Sequence, residues 1–158
     1  MKTKIKRVNE ADRKLKLNTP VRLYNPNGID KLTSHCVRSV EATDEYTRID
    51  FIYRSSMIYD NGGWIQMEAD AYIQPVGSDI RYRLVKAINI TIAPTKLYFK
   101  KQGEYHTYTL IFPPLPRNTT KINIIEKLAP GTYFNFFNVD YSKWMTVPNL
   151  TELTYKEN

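Results

Sequence analysis

Cysteine is nearly absent. Cys36 is the only one, which excludes an internal disulfide framework and a multi-thiolate zinc site, because each needs at least two sulfurs. The two histidines, His35 and His106, lie far apart and match no zinc spacing, and no Asp-x-Asp-x-Asp-Gly run offers calcium its ligands. The six glycines are scattered, so no phosphate cradle forms, and no Gly-x-Ser-x-Gly elbow presents a serine nucleophile. Long apolar runs are missing too: no window approaches the roughly 20 residues of a membrane helix. The basic start Met1-Lys2-Thr3-Lys4-Ile5-Lys6-Arg7 leads into Val8-Asn9-Glu10-Ala11-Asp12, not into the apolar core of a signal peptide. The expectation is a chain with no membrane span, no metal and no cofactor. It is cytoplasmic if the sequence is unprocessed, and exported if a leader has been removed.

What is present is aromatic. Twelve Tyr, six Phe and two Trp among 158 residues suit half-buried pleated surfaces better than helices. The length argues for one domain, able to bury roughly 68–70% of its unfolded surface without a metal or disulfide. Hydrophobic residues at 42% and charged residues at 25% describe an ordinary globular chain.

The formal charge of +7 is unevenly placed. Residues 1–17 hold seven cations against Glu10 and Asp12, a surplus of five, and leave a surplus of two for the rest of the chain. A polyanion partner would therefore be held by this arm, through Lys4, Lys6, Arg7, Arg13, Lys14 and Lys16. A short basic run is more often a solvated terminus that aids solubility, and that reading is preferred. Residues 9–17 allow a helical turn or two, with little apolar stripe to stabilise it.

From residue 18 onward, strands alternate with turns. Asn25-Pro26-Asn27-Gly28, Asp60-Asn61-Gly62-Gly63, Val76-Gly77-Ser78-Asp79, Lys101-Gln102-Gly103 and Ala129-Pro130-Gly131 are the punctuation. Between them the period is two. Ile49, Phe51 and Tyr53 oppose Arg48, Asp50 and Arg54; Ile80, Tyr82 and Leu84 oppose Arg81 and Arg83; Tyr108, Leu110 and Phe112 oppose Thr107 and Thr109. Strands are predicted near 20–24, 35–42, 46–54, 64–74, 79–86, 88–92 with 96–99, 105–112, 120–126 and 133–139. With no convincing helix between them, they predict an all-β antiparallel sandwich of about seven to nine strands, or a barrel. The organisation expected is a basic arm over 1–17, a sandwich over 18–145 and a tail over 146–158.

Few residues offer bond chemistry. In Ser34-His35-Cys36 a strand would turn His35 away from its neighbours, so a Cys36 nucleophile would need distant His106 as its base. A small buried thiol and a surface imidazole are the expectation instead. Sixteen acids always supply some plausible glycosidase pair, so they carry no signal. Binding is better represented. If Ile65 and Met67 face the core, Trp64, Gln66 and Glu68 face outward and Trp64 becomes a platform for sugar or peptide, although a large side chain favours capping the sandwich edge. Tyr133-Phe134-Asn135-Phe136-Phe137 carries aromatics on both faces, as expected of a central or interface strand.

A resemblance adds to this reading. Val40-Glu41-Ala42-Thr43-Asp44-Glu45-Tyr46-Thr47, Gly63-Trp64-Ile65 and Ala93-Pro94-Thr95-Lys96-Leu97-Tyr98-Phe99 are followed in order by Tyr108-Thr109-Leu110-Ile111-Phe112-Pro113-Pro114-Leu115-Pro116, Ile122-Asn123-Ile124-Ile125-Glu126 and Phe134-Asn135-Phe136-Phe137. Over residues 34–141 the chain resembles uncharacterised immunoglobulin-like β-sandwich modules of gut bacteria, found alone or in front of thioredoxin-like domains. The family's Trp-Asn is Phe134-Asn135 here, and its following Gly is Asn138. The resemblance implies a sandwich with no established catalytic residue and favours the cell envelope. Within the segments 108–116, 122–126 and 134–137 Glu126 is the one charge, suited to accepting backbone donors at a strand end or to contacting a ligand. Trp64, Glu126 and Asn135 are the candidate ligand-binding residues. The function expected is non-enzymatic binding of protein or glycan. A nucleic-acid binder using the arm is the alternative, and a small hydrolase using Cys36 or an acid pair is third.

Overall fold

The computed structural model describes residues 21–27 and 34–146. The arm cations and the helical turn expected at 9–17 lie outside the described residues. Among the described residues there is no helix, and hence none long and apolar enough to cross a membrane. Twelve strands of the described residues form three antiparallel sheets. The strands are β1 (Val21–Tyr24), β2 (His35–Ala42), β3 (Thr47–Arg54), β4 (Trp64–Ile65), β5 (Tyr72–Pro75), β6 (Tyr82–Arg83), β7 (Lys86–Ile88), β8 (Leu97–Tyr98), β9 (Tyr105–Phe112), β10 (Lys121–Ile125), β11 (Phe136–Asp140) and β12 (Met145–Thr146). The largest sheet has the order β12-β1-β2-β3-β9-β7, the second β11-β10-β5-β6, and β4 pairs with β8 alone. Both larger sheets have two edges, so neither closes into a barrel.

The two larger sheets share one interior. From the first come Val37, Val40, Ile49, Phe51, Tyr108, Leu110 and Phe112, and from the second Ile73, Ile122 and Ile124. Period two is the cause: β3 and β9 are eight residues each, paired from Thr47 with Phe112 to Arg54 with Tyr105, so alternate rows of both strands land inside together. Each such side chain stabilises the fold by about 1.5–3 kcal/mol when fully buried.

The opposite face of the large sheet is held by polar groups. Asp50 accepts from Ser39 at 2.9 Å, Thr109 at 2.5 Å and Arg48 at 3.1 Å, while Arg22 lies 3.5 Å from Glu41 and 3.7 Å from Asp50. Burial alone would raise the Asp50 carboxyl, but the hydroxyls of Thr109 and Ser39 and the Arg48 guanidinium outweigh it and hold it below its ordinary value.

Three expected segments differ. The strand predicted at 64–74 is two strands in different sheets: after β4 the chain bridges Met67 to Ile92, turns at 69–70 and only then enters β5. The strand predicted at 79–86 is likewise divided. Leu84 donates to Ala71 on the small-sheet side and Val85 to Ile111 on the large-sheet side, so the chain changes sheets between them, and Ile80 is exposed. The aromatic run at 133–137 leads into β11, an edge strand and not a central one: Phe134 and Phe136 turn inward and Phe137 faces out. These divisions bring the strand number above the nine expected. The sheet also reaches one residue past the expected end of the sandwich at 145, because β12 pairs with β1.

Candidate binding face

The site starts from the β4–β8 ladder. Trp64 stands opposite Tyr98, and Ile65 opposite Leu97. Directly opposed residues share a face, so one row is buried through Ile65 and the other displays Trp64 and Tyr98 together. Trp64 is 44% exposed and does not cap the edge as its size favoured, because the alternation that buries Ile65 and Met67 turns it outward. The Lys96 ammonium sits 4.5 Å from the centre of the indole ring, a cation–π contact of about 0.5–1 kcal/mol at an exposed site.

Beside this ladder residues 55–63 form a loop with Met57, Ile58 and Tyr59 at its tip. All three are exposed, Ile58 at 86%. The loop is fixed by hydrogen bonds rather than by burial of its tip. Gln102 Nε2 donates to the carbonyls of Met57 and Tyr59, both at 3.0 Å. Ser55 Oγ donates to the Lys101 carbonyl at 2.7 Å and accepts from the Glu104 amide at 2.8 Å. The amide of Ile58 donates to Ser56 Oγ, that of Ser56 to the Gly62 carbonyl, and that of Phe99 to the Gly63 carbonyl. Gly62, at φ +89°, lets the two loops touch: a Cβ there would run into the Lys101 carbonyl oxygen. The Tyr59 ring packs against Gly63, next to Trp64. On the other flank Arg54, paired with Tyr105, lies over that ring at 5.6 Å and reaches Gly103, which also meets Met57 Sδ. Trp64, Tyr98, Tyr59, Ile58, Met57 and Tyr105 are thus the exposed apolar side chains of the β4–β8 ladder, the 55–63 loop and the start of β9.

Glu126 and Asn135 are brought together elsewhere. Glu126, only 6% exposed, accepts the amides of Phe134 at 2.7 Å and Glu68 at 3.0 Å. Asn135 reciprocates: its Oδ1 accepts the amides of Glu126 at 2.9 Å and Lys127 at 3.2 Å, and its Nδ2 donates to the Lys127 carbonyl. These side chains tie the 126–135 loop to the turn before β5. Burial raises the Glu126 carboxyl, partly countered by the two amides. The apolar residues around it leave no room for a water-sized molecule. Trp64 belongs to the β4–β8 ladder, whereas Glu126 and Asn135 belong to the loop between β10 and β11 of the second sheet.

His35 faces the interior. Its row continues through Tyr53 to His106 on the inner face of the large sheet, and its ring is enclosed by Phe134 at 4.2 Å, Phe136 at 4.9 Å, Tyr53 at 5.4 Å, Tyr108 at 5.7 Å and Phe51 at 5.9 Å. Its Nε2 is 2.6 Å from the Tyr108 hydroxyl. Burial lowers it to about 3. Cys36 belongs to the next row, opposite Ile52 and Thr107, on the other face of the sheet from both histidines. The Cys36–His106 pairing needed for nucleophilic chemistry is therefore not assembled, and His106 Nε2 is 2.6 Å from the Asn89 carbonyl. Among the described residues no group of three or more His, Cys, Asp or Glu comes together to hold a metal ion.

Sequence reasoning found Trp64 and missed Met57, Ile58, Tyr59, Tyr98 and Tyr105. One signal was available: three consecutive apolar residues abut the turn Asp60-Asn61-Gly62-Gly63, where alternation would require a polar residue. Tyr98 needed the register with Trp64, which lies 34 positions away in the β4–β8 pairing. Comparison with family models, with curated proteins and with solved structures gives no match.

Proposed function

We propose that the chain is a non-enzymatic, immunoglobulin-like β-sandwich module that binds a protein or glycan through the end formed by residues 55–64 and 96–105. One observation carries the reading: Met57, Ile58 and Tyr59 are exposed in succession on a loop whose backbone is fixed by Gln102, Ser55 and Ser56. These hydrogen bonds hold the apolar tip in one conformation. A preorganised loop loses little entropy when a partner covers it. Aromatic and Met side chains are also the types that dominate the centres of protein interfaces. The sheet-face separation of Cys36 from the histidines supports recognition over bond chemistry. The motif resemblance supports the immunoglobulin-like assignment and a place in the cell envelope.

The experiment is amide hydrogen exchange of the full chain, alone and with each member of a panel of peptides and oligosaccharides. Ligands that bind should protect residues 55–64 and 96–105. Protection confined to other surfaces, or turnover of a panel member that is lost in Cys36→Ser, would remove the proposal.

A further inference from the structure

Between buried Glu126 and buried Tyr141 the chain leaves the core. Residues 127–132 are exposed and none of 133–140 is fully buried, yet this stretch supplies Phe134 and Phe136, the two rings nearest His35. The other walls of that enclosure are Phe51 and Tyr53 of β3 and Tyr108 of β9, eight-residue strands with a neighbour on each side. β11 has a neighbour on one side only, and its ladder with β10 is interrupted between Ile122 and Ile124. Asn138, at φ +52°, departs from extended backbone in the middle of it. Both ends are fastened. Glu126 accepts the amides of Phe134 and Glu68, and Tyr141 donates its amide to the Thr120 carbonyl at 3.0 Å and its hydroxyl to the Thr119 carbonyl at 2.9 Å.

Among the described residues the His35 ring has one hydrogen-bond partner, the Tyr108 hydroxyl. An imidazolium donates from both nitrogens, so a second donor would be buried without an acceptor. The titratable groups around it supply none. Tyr53 and Tyr108 face it from β3 and β9, and burial raises both, so they stay neutral in acid. His106 continues the row on β9 and is turned to the Asn89 carbonyl. Glu126, beside Tyr108, is engaged by its two amides, and Cys36 of the ring's own strand lies on the other face. We propose that residues 127–140 are a proton-operated strap: when His35 takes up a proton, Phe134 and Phe136 leave the inner face of the large sheet and open to solvent the apolar space they share with Met67, Ala71, Leu110 and Ile124, while β2, β3 and β9 stay paired. Lifting the strap lets water reach the second nitrogen and breaks one edge ladder, whereas access through β3 or β9 would dismantle the sheet. Burial lowers the enclosed ring to about 3 against 6.5 in solvent, so from about pH 6 to about pH 4.5 the open population rises about twentyfold through His35. Glu126, raised by burial in the closed form, acts in the opposite sense and trims this rise at its lower end.

The test is amide hydrogen exchange of the full chain, read by NMR at about pH 6 and about pH 4.5, with and without dilute urea, and corrected for the intrinsic exchange rate. The amides of Phe134 and Asn138, which donate to Glu126 and Asn123, should be less protected than those of β3 and β9 and should respond less to urea. On acidification they should lose about tenfold or more of their protection in wild type, and less than about threefold in His35→Phe, whose ring cannot titrate. Strap amides as protected and as urea-sensitive as those of β3 and β9 would mean that the segment opens only with the whole molecule, and would overturn the inference. An equal acid response in the two proteins would overturn it too. Should His35→Phe not fold, the carbon-bound protons of the His35 ring in wild type decide. Strap resonances that move with the titration of the ring support the strap; a ring that titrates while the strap stays unmoved would mean that the aromatic faces accommodate the imidazolium, and would overturn it.

Discussion

Acidification from about pH 6 to about pH 4.5 should remove about 2 kcal/mol of folding stability through His35 alone. The ring is enclosed by five aromatic side chains, and burial lowers it from 6.5 to about 3. As pH falls through 6.5 the unfolded chain takes up a proton at this position, whereas the folded chain does so only near 3. Between those limits each pH unit favours the unfolded state by about 1.4 kcal/mol, a slope that tapers above pH 6 where the unfolded imidazole is only partly protonated. Two other groups act in neighbouring windows. Glu126 is raised by burial, so its folded form takes a proton first and offsets part of the loss as pH falls toward its ordinary value of 4.5. Asp50 is held low, so its contribution is lost only below its ordinary value of 3.8. The assay is urea unfolding followed by tryptophan fluorescence, at several pH values between 7 and 4.5, on wild type and His35→Phe. The phenyl ring fills the same aromatic enclosure but cannot titrate, and it strands the buried Tyr108 hydroxyl at an offset that does not change with pH. Wild type should show the slope and His35→Phe should lack most of it. Parallel slopes in the two proteins would refute the argument.

Gly62→Ala should cost more than about 2 kcal/mol, since its Cβ meets the Lys101 carbonyl and its φ is positive; the denaturant midpoint measures this. Glu126→Gln should cost about 1–3 kcal/mol, because one of the two amides from Phe134 and Glu68 then faces an NH2 group, and Asn135→Ala should cost a similar amount. Both variants should show faster amide exchange at residues 126–135 in particular. Deleting residues 2–16 should leave recognition by the end formed by residues 55–64 and 96–105 unchanged; a complete loss of binding together with steep salt dependence would return the function to the basic arm.

The long central strands were legible because one of their faces is uniformly inside. Ile49 and Phe51 in β3, and Tyr108, Leu110 and Phe112 in β9, keep an alternation broken only by Ile52 and Ile111 on the other face, and register follows from it. The divided segments were not legible. Nothing local distinguishes Met67, which bridges Ile92, from Ile73, which pairs within the second sheet, and both sit in one apolar-alternating stretch. The crossing between Leu84 and Val85 is set by partners at Ala71 and Ile111, remote in sequence. Glu126 was legible as an acceptor of backbone donors, because a lone carboxylate at the end of an apolar strand has few other uses. Asn135 entered through the motif rather than through its role, which depends on a loop closing over nine residues. The place of Asn138 was partly legible: it adopts φ +52°, a conformation Asn tolerates, where the resemblance expects Gly. The inner place of His35 was not legible, because strand parity separates it from its neighbours but does not say which face is inside.

The claim that residues 55–64 and 96–105 are displayed for a partner, not packed for stability, is tested most directly by the unfolding free energy of Ile58→Ser/Tyr98→Thr in the absence of any ligand. Surface substitutions away from packed features change stability by no more than about 0.5 kcal/mol each, and Thr keeps the strand preference of position 98. The account expects the double variant to unfold within about 1 kcal/mol of wild type. A loss above about 3 kcal/mol, the scale of a truncated core residue, would mean that these side chains hold the molecule together and would contradict the binding face.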